Sequence, residues 1–404
     1  MTQTNESNGR FSDLGLAEKF LKVLTQKGFT NPTPIQHQVI PGALSGKDVV
    51  GIAQTGTGKT LAFGIPMIER IFRYGGQGLI LAPTRELATQ IGESLMVIGA
   101  PFGLRCALVI GGVPQNRQVQ ALKRNPHIVI ATPGRLDDLL KQRLYSLNNV
   151  KIITLDEADR MLDIGFLPQI RKILELAPRE RQTMLFSATM PRSITELASA
   201  FMKFPLRIEI APQGTTAPNV EQEIFIVSRD EKMRLLDSIL DSYKNDTTLI
   251  FSRTKYGAKK IARDIRSMGH AATEMHSNRT QSQRRKALEG FSKGEFRVMV
   301  ATDIAARGID VSDISLVVNF DLPQVAEDYV HRIGRTGRAG KSGKAISFVT
   351  REQKYDVKKI ERLIRKSLPI LALPQLPPSR PQLAYQDRNH HRGRRRNYNY
   401  RRRR

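Results

Sequence analysis

The segment AQTGTGKT, residues 53–60, carries the residue types that binding a nucleotide phosphate requires. It follows the β-branched run DVVGIA and leads into LAFGIPMIERIF, whose apolar residues recur at helical spacing. Gly56 and Gly58 let the backbone N–H groups face a triphosphate, Lys59 can reach the β and γ phosphates, and the Thr60 hydroxyl can ligate Mg²⁺. The strand–loop–helix context favours a phosphate loop over an ordinary glycine-rich turn.

Three carboxylates follow the apolar run KIITL directly: Asp156, Glu157 and Asp159. Acidic side chains are costly to bury there unless they serve a cation or a chemical step. In phosphoryl transfer one carboxylate holds Mg²⁺, often through water, while its neighbour orients and deprotonates the attacking water. We therefore expect Asp156 to be the metal carboxylate and Glu157 the general base. The alternative, an acidic helix N-terminus favoured by the helix dipole, is weakened by the phosphate loop.

Short apolar runs alternate with helical stretches along most of the chain, six before the stretch APQGTTAPN and five after it. Their lack of strict polar alternation is typical of strands buried on both faces, which predicts parallel sheets covered by helices. APQGTTAPN itself (211–219) is predicted to be a flexible linker. The sequence thus predicts two α/β domains in tandem, 1–210 and 220–368, followed by a disordered tail at 369–404 that is first Pro-rich and then Arg-rich.

Composition narrows the class of protein. The chain has 404 residues, enough for two or three domains, and 40% of them are hydrophobic. Its one cysteine, Cys106, excludes an intrachain disulfide and a Cys-rich zinc site and indicates a reducing compartment. The sequence has no apolar run long enough for a membrane span and does not start like a signal peptide, so we expect a cytoplasmic protein without membrane contact.

The chain is strongly basic, since 64 Lys and Arg residues against 38 Asp and Glu give a formal net charge of +26. Ten arginines and a single acid fall within residues 380–404, behind a proline-rich stretch that would interrupt any helix. Arginines interleaved with Tyr385, Tyr398 and Tyr400 are typical of segments that bind single-stranded nucleic acid by charge neutralisation and stacking. The alternative is a terminus that serves only solubility.

Further motifs give the chain a resemblance to a known family. The first half contains GFTNPTPIQ (28–36), PTREL (83–87), TPGR (132–135) and SAT (187–189). The second half contains LIFSRT (249–254), ATDIAARGID (301–310) and HRIGRTGR (331–338). Together with AQTGTGKT and the tetrapeptide DEAD, this ordered set resembles the DEAD-box ATP-dependent RNA helicases over residues 11–349. IFSRTKYGAKKIA and the short C-terminal extension look most like the bacterial RNA-helicase-E-type branch.

The resemblance implies two RecA-like domains, with ATP and Mg²⁺ as cofactors. Phe11 would stack on the adenine, Gln36 would hydrogen-bond its edge, and Asp310 would contact the ribose. The phosphates would be held by the loop residues Thr55, Gly56, Thr57, Gly58, Lys59 and Thr60.

The resemblance also assigns catalysis to the second domain. Arg335 and Arg338 would be arginine fingers, because a guanidinium donates two hydrogen bonds to the γ-phosphoryl oxygens and stays protonated. His331, Ser187 and Thr189 would link the γ-phosphate to domain closure. Taken alone, HRIGRTGR is read equally well as a basic helix start that touches RNA.

RNA contacts implied by the resemblance involve small hydroxyls, glycines and arginines. They are Thr84, Arg85, Gly112, Thr132, Arg135, Arg253, Thr254, Gln281, Arg284 and Thr302. Such groups suit phosphates and 2′-hydroxyls and position a strand without reading its bases. We expect sequence-independent RNA binding, RNA-stimulated ATP hydrolysis, and local, non-processive unwinding as the two domains close.

Two other functions remain compatible with the sequence. One is an RNA-annealing or scaffolding factor that works mainly through its basic tail, and the other is a DNA-translocating helicase built on the same two domains. Ribosomal particles or an RNA-degradation complex are possible partners, although the sequence identifies neither.

Overall fold

The computed structural model describes residues 9–53, 56–210, 220–306, 314–337 and 342–378. Its strands form two seven-stranded parallel sheets, which define a first lobe up to residue 210 and a second lobe from residue 220. The predicted linker, 211–219, lies outside the described residues. None of the helices within these ranges has both the length and the apolar character needed to cross a bilayer.

The first sheet has the strand order β3-β4-β2-β5-β6-β1-β7. Its strands are β1 Val49–Ile52, β2 Gln77–Leu81, β3 Cys106–Val109, β4 Ile128–Ala131, β5 Val150–Leu155, β6 Gln182–Ser187 and β7 Leu206–Glu209. Its helices are η1 Phe11–Leu14, α1 Glu18–Gln26, α2 Pro34–Leu44, α3 Lys59–Tyr74, α4 Arg85–Gly99, η2 Ala100–Phe102, α5 Gln115–Lys123, α6 Pro133–Lys141, α7 Ala158–Asp163, α8 Leu167–Leu176 and α9 Arg192–Phe201.

The second sheet has the strand order β10-β11-β9-β12-β13-β8-β14. Its strands are β8 Val220–Ile226, β9 Thr248–Phe251, β10 Ala272–Met275, β11 Val298–Ala301, β12 Leu316–Asn319, β13 Gly343–Val349 and β14 Ile370–Leu371. Its helices are α10 Lys232–Ser242, α11 Lys255–Ser267, α12 Gln281–Ser292, α13 Asp303–Ala306, α14 Ala326–Ile333, η3 Arg351–Gln353 and α15 Lys354–Ile364.

Each sheet is buried on both faces, which explains the unbroken apolar runs. Successive residues of a strand point to opposite faces, so Val49 and Val50 of β1 enter separate hydrophobic clusters. In the second lobe Leu249 and Ile250 of β9 do the same. The predicted fold class, two parallel RecA-like sheets in tandem, is therefore confirmed.

Three strands were not expected from the sequence. β7 is largely exposed at the edge of its sheet, β10 mixes apolar with polar residues, and β14 has only two residues. Edge positions and mixed polarity remove the apolar signal by which the other strands are found.

The structure describes the first ten residues of the predicted disordered tail, 369–378, and places several of them in contact with the second lobe. The Ile224 N–H donates to the Pro369 carbonyl at 2.9 Å, and Ile370–Leu371 pairs in parallel with β8. Arg234 then donates to the carbonyl of Pro377 at 2.7 Å. Proline excludes a helix but not an outer strand, which needs few backbone donors. The Arg-rich part, 379–404, lies outside the described residues.

Candidate active site

The phosphate loop joins β1 to α3, as the sequence predicts. Gly56 and Gly58 have φ values of 85° and 92°, a region that favours glycine, and Gly58 is the N-cap of α3. Lys59 is buried, and its ammonium donates to the Ala53 carbonyl at 2.8 Å. Thr60 lies in the first turn of α3. The loop thus turns back on β1 at the N-terminus of a sixteen-residue helix, where an anion is favoured. Thr55 lies outside the described residues.

The Gln36 side chain is tied to this loop, which the sequence interpretation missed. Its Oε1 accepts the Thr33 N–H at 2.9 Å in a capping box at the start of α2, and its Nε2 donates to the Gly58 carbonyl at 3.1 Å. The spacing of Thr33 and Gln36 is itself a capping-box signal in the sequence. Phe11 is buried in the first-lobe core.

The carboxylates lie where β5 ends and α7 begins, and both Asp156 and Glu157 are buried. The Glu157 N–H donates to Asp156 Oδ1 at 3.0 Å, and Arg160 Nη1 contacts Glu157 Oε2 at 2.6 Å. Glu157 has a φ of 51°, an uncommon left-handed conformation for a side chain of this kind. Arg160 was not predicted, although three residues after Glu157 on a helix is pairing distance.

The two neighbouring carboxyls have opposite protonation behaviour. Burial, the largest effect, raises the pKa of Asp156 to about 7, and the charge of Lys59 only partly opposes it. Burial also acts to raise the pKa of Glu157, but the combined charges of Arg160, Lys59 and Arg335 outweigh it and lower that pKa to about 2. Glu157 is therefore ionised at neutral pH, and Asp156 is a buried carboxyl short of positive charge.

Asp159 connects α7 to the end of β6. Its N–H donates to Ser187 Oγ at 3.2 Å, and its Oδ2 accepts the N–H and the hydroxyl of Thr189, both at 2.9 Å. Ser187 is fully buried. The DEAD and SAT motifs thus form one hydrogen-bonded unit.

A hollow between the lobes brings the second-lobe residues to these carboxylates. It is lined by Arg160, Phe251, Asp303, Asp328, His331, Arg332 and Arg335. Arg335 is buried, and its charge acts on Glu157 in the first lobe. His331 lies near Asp328, with Nδ1 and Oδ1 3.8 Å apart. Arg338 and Asp310 lie outside the described residues.

Arg332, which the sequence interpretation did not single out, anchors this side of the hollow. Its Nε and Nη2 contact the two Asp303 carboxylate oxygens at 2.6 and 2.8 Å, and Nη1 donates to Asn319 Oδ1 at 3.0 Å. The guanidinium carbon lies 4.9 Å from the centroid of the Phe251 ring. It therefore fixes α14, whose last turn carries His331 and leads to Arg335.

The predicted RNA residues share the edge at which the parallel strands of each sheet end. Thr84 is the N-cap of α4, with Oγ1 accepting the Leu87 N–H at 3.2 Å, and Thr254 caps α11 in the same way at 3.0 Å. Thr132 is the N-cap of α6, and Arg135 Nη1 donates to the Val113 carbonyl at 3.2 Å. These capping roles serve the fold whether or not RNA binds.

The other predicted RNA residues also lie at this edge. Gly112 packs so closely against the Arg85 guanidinium that a Cβ there would lie 1.8 Å from Nη1. The Arg253 N–H donates to Asp321 Oδ2 at 3.0 Å, and the Thr302 N–H to the Met275 carbonyl at 3.3 Å. Gln281 opens α12, and its side chain lies outside the described atoms.

An ion pair joins the lobes beside these residues. Arg284 Nη2 lies 3.0 Å from Glu86 Oε2, and both side chains are largely buried. Burial and the charges of Arg284 and Arg135 lower the pKa of Arg85, while Glu86 opposes the shift. Arg85 thus lies within the electrostatic influence of two further guanidiniums, one from each lobe, and of a single carboxylate, so positive charge predominates at this edge. Glu86 was missed because nothing local in PTREL shows which partner it meets.

Family models match most of the chain. A model of DEAD/DEAH box helicases matches residues 33–197, and a model of the helicase conserved C-terminal domain matches residues 231–340. A DEAD-box ATP-dependent RNA helicase CshA from Bacillus cereus is 43% identical over 368 residues, which cover 91% of this chain and 70% of that protein. An ATP-dependent RNA helicase CshA from Listeria monocytogenes is 44% identical over 367 residues, 90% of this chain and 71% of that protein.

Solved structures agree with these relatives. S. cerevisiae Dbp5 bound to RNA and ADP BeF3 has a TM-score of 0.81 at 30% identity, covering 89% of this chain and 95% of that chain. Mss116p bound to ssRNA and AMP-PNP scores 0.83 at 27% identity, covering 92% and 81%. A DEAD box protein from Methanococcus jannaschii scores only 0.53 despite 39% identity, covering 90% and 99%. Over nearly the same share of this chain, the two ligand-bound structures therefore superpose on it more closely than the Methanococcus protein does.

The narrower prediction of an RNA-helicase-E-type branch is not confirmed. The relatives reported above carry the name CshA, which is a different branch.

Proposed function

We propose that this chain, which belongs to the family of DEAD-box ATP-dependent RNA helicases, hydrolyses ATP in the hollow between its lobes and remodels RNA as the lobes close. The observation that carries this proposal is the burial of Arg335, from the second lobe, beside the Glu157–Arg160 pair of the first. A hydrolytic site that draws charged groups from both lobes works only when they are together.

Within the site we assign Glu157 as the general base. It is ionised, and Arg160 fixes its orientation at 2.6 Å. Its ionised carboxylate can orient the attacking water and accept its proton. We assign the phosphates to Gly56, Gly58 and Lys59, with Thr55 and Thr57 completing the loop. We assign binding of the adenine to Gln36 and Phe11, and binding of the ribose to Asp310.

The donors at Asp156 and Thr60 fit Mg²⁺. A carboxylate and a hydroxyl are hard oxygen ligands of the kind this ion prefers, and a cation here would offset the burial that raises the pKa of Asp156. When bound, Mg²⁺ supplies positive charge to the phosphate oxygens.

In the second lobe we assign Arg335 and Arg338 to the developing charge on the γ-phosphoryl group and His331 to its link with closure. Arg335 supports this assignment through its effect on Glu157. We further assign Ser187 and Thr189 as the coupling residues, because both are bonded to Asp159, two residues from the base.

RNA is assigned to the electropositive edge that spans both lobes. The predicted contacts from Thr84 to Arg135 and from Arg253 to Thr302 lie there, and they suit phosphates and 2′-hydroxyls rather than bases. Because RNA and ATP favour the same closed arrangement, each should tighten the binding of the other. Closure on one strand of a short duplex would separate it locally, without processive movement.

The cellular setting follows from the family alone. We propose a cytoplasmic role, with ribosomal particles or RNA-degradation complexes as candidate partners. Sequencing of RNA crosslinked to the protein in cells would test this, and recovery of no enriched RNA class would count against it.

The experiment that tests the chemistry is Glu157→Gln. The amide keeps the shape and the Arg160 contact but cannot take a proton. We expect ATP and RNA binding to persist while turnover falls by at least about a hundredfold. Arg192→Gln, which removes an exposed cation that pairs with Glu196 on α9, is the matched control and should leave turnover unchanged. Undiminished turnover in Glu157→Gln would remove Glu157 from its assigned role.

A further inference from the structure

The last helix of the second lobe carries a concentration of positive charge that the ATP and RNA sites do not use. Residues 351–366 contain seven Lys and Arg side chains and three acidic ones. Two of those acids have partners: Glu361 Oε1 accepts the Leu368 N–H at 2.8 Å, and Asp356 lies 3.7 Å from the Lys359 ammonium. Residues 351–366 therefore carry an excess of four positive charges.

These cations surround a hollow of about 300 Å³ at the C-terminal end of α15. It is lined by Lys358, Glu361, Arg362, Arg365, Lys366 and Ser367. The four cations among them are all exposed. Because like charges in one hollow repel each other, the arrangement favours an anion among them.

The backbone turn at this end of the helix brings two further side chains to the hollow. Arg365 ends α15 with a φ of 52°, a left-handed conformation at a position where glycine is usual. An arginine there costs conformational energy. The turn directs Lys366 and Ser367 to the same hollow. The helix dipole favours cations in the last turn of α15. It does not explain the left-handed conformation of Arg365 or the presence of Lys358 in the lining of the hollow.

The hollow is separate from the edge assigned to RNA above. α15 follows β13, and its buried residues Val357 and Ile360 pack in the same cluster as Val349 at the end of that strand. The chain then enters β14, which runs parallel to β8. α15 therefore runs back towards the starts of the strands, over a length of about 16 Å for its eleven residues.

We propose that this hollow binds the sugar–phosphate backbone of RNA at a second site, holding a segment that flanks the one between the lobes. The proposal rests on the proposed function in one respect, that RNA is the polyanion this protein meets. Arginine and lysine side chains with a hydroxyl suit phosphate oxygens, and the absence of exposed aromatic residues from the lining indicates backbone rather than base contacts.

The test compares two RNAs and two variants of the full chain. The short RNA is the shortest that gives full ATPase stimulation, and the long RNA is the same sequence extended at both ends. The site variant combines Lys358→Gln, Arg362→Gln, Arg365→Gln and Lys366→Gln. The control variant combines Lys19→Gln, Lys27→Gln, Lys123→Gln and Arg124→Gln, which removes the same charge from exposed first-lobe positions. Dissociation constants are measured over a series of salt concentrations.

For the site variant we expect a loss of about tenfold or more in affinity for the long RNA at low salt. Its salt dependence should become shallower by up to about 3 in log–log slope, since four phosphate contacts are lost. Binding of the short RNA and maximal ATPase rate should not change. The contribution of the Arg-rich tail cancels, because every variant retains it.

Three results would overturn the proposal: unchanged affinity for the long RNA, an equal loss for both RNAs, or an equal loss in the control variant. Stimulation of the unmodified protein by the short RNA reports on the proposed function independently. Its failure would refute RNA-stimulated hydrolysis, whereas a failure of the length comparison would refute only the second site.

Discussion

Gly58 lies where the phosphate loop, α3 and the Gln36 amide meet. A Cβ at this position would lie 2.4 Å from Gln36 Nε2 and 2.9 Å from Thr33 Oγ1, at a φ that L residues rarely adopt. We predict that Gly58→Ala weakens binding of a non-hydrolysable ATP analogue roughly tenfold. The left-handed conformation alone costs about 1–2 kcal/mol, and the loop would relieve strain and clash by leaving its phosphate-facing shape. Titration calorimetry measures the affinity.

Gly15→Ala is the matched control. Gly15 also has a positive φ, of 78°, but a Cβ there has no neighbour within 4 Å. It should lower the midpoint of thermal unfolding and leave nucleotide affinity unchanged. If Gly58→Ala bound the analogue as tightly as Gly15→Ala does, the contact between Gln36 and the loop would not shape the nucleotide site.

Cys106 provides a chemical test of burial in the first lobe. Burial raises the pKa of its thiol to about 12. Because the thiolate is the reactive form, a higher pKa leaves less of it at pH 8. We predict that iodoacetamide modifies the native protein about a hundredfold more slowly than the chain in guanidinium. Mass spectrometry reads the result directly, since the chain has one cysteine. Similar rates in both states would contradict the partial burial of Cys106 on β3.

At the level of helices and strands, β14 makes the end of the described chain part of the second sheet. We predict that removing residues 379–404 leaves the stability of the second lobe unchanged, whereas ending the chain after Leu368 lowers it by about 1–3 kcal/mol. The shorter chain loses the bond from the Ile224 N–H to the Pro369 carbonyl and the bond from Arg234 to the Pro377 carbonyl, at about 0.5–1.5 kcal/mol each. Urea denaturation compares the two truncations, and equal midpoints would show that β14 contributes nothing.

Elements with strong local signals could be predicted from the sequence. The phosphate loop between β1 and α3 was found because glycine conformation, helix start and strand composition all act within a few residues. β7, β10 and β14 were missed because exposure at the edge, mixed polarity or short length removes the apolar signal that marks the other strands. The same contrast holds within the site: Lys59 and Glu157 stand in recognisable motifs, but the Gln36–Gly58 bond connects residues 22 positions apart.

For the molecule as a whole, the contacts between the lobes were the feature that the sequence predicted least well. Glu86 and Arg284 are separated by almost two hundred residues, and the burial of Arg335 near Glu157 depends on how two sheets meet. Only the resemblance to a family indicated that these halves cooperate. The sequence showed the charge of each of these residues but not the residue with which it pairs.

Lobe closure predicts a reciprocal thermodynamic relation. In the Glu157→Gln background, saturating RNA should lower the dissociation constant for ATP by the same factor as saturating ATP lowers that for RNA. A factor of roughly 5–150 is typical of such coupling. Fluorescence anisotropy of labelled RNA and of labelled nucleotide gives both factors.

Glu86→Gln in the same background removes the carboxylate that pairs with Arg284 across the lobes, and it should reduce both factors equally. Asp138→Asn, which removes an exposed carboxylate on α6, should change neither. Independent binding of the two ligands, with both factors near one, would contradict a shared closed arrangement.

The two-residue strand β14 also has a consequence for contacts between copies of the protein. It occupies the outer side of β8, whose long row of N–H and C=O groups would otherwise be open to strand addition from another chain. Pro369 and Pro374 flank β14, and proline offers no N–H to extend the ladder. The prolines thus block the pairing of further strands at this edge of the sheet. A chain that ends before them should tend to self-associate and aggregate.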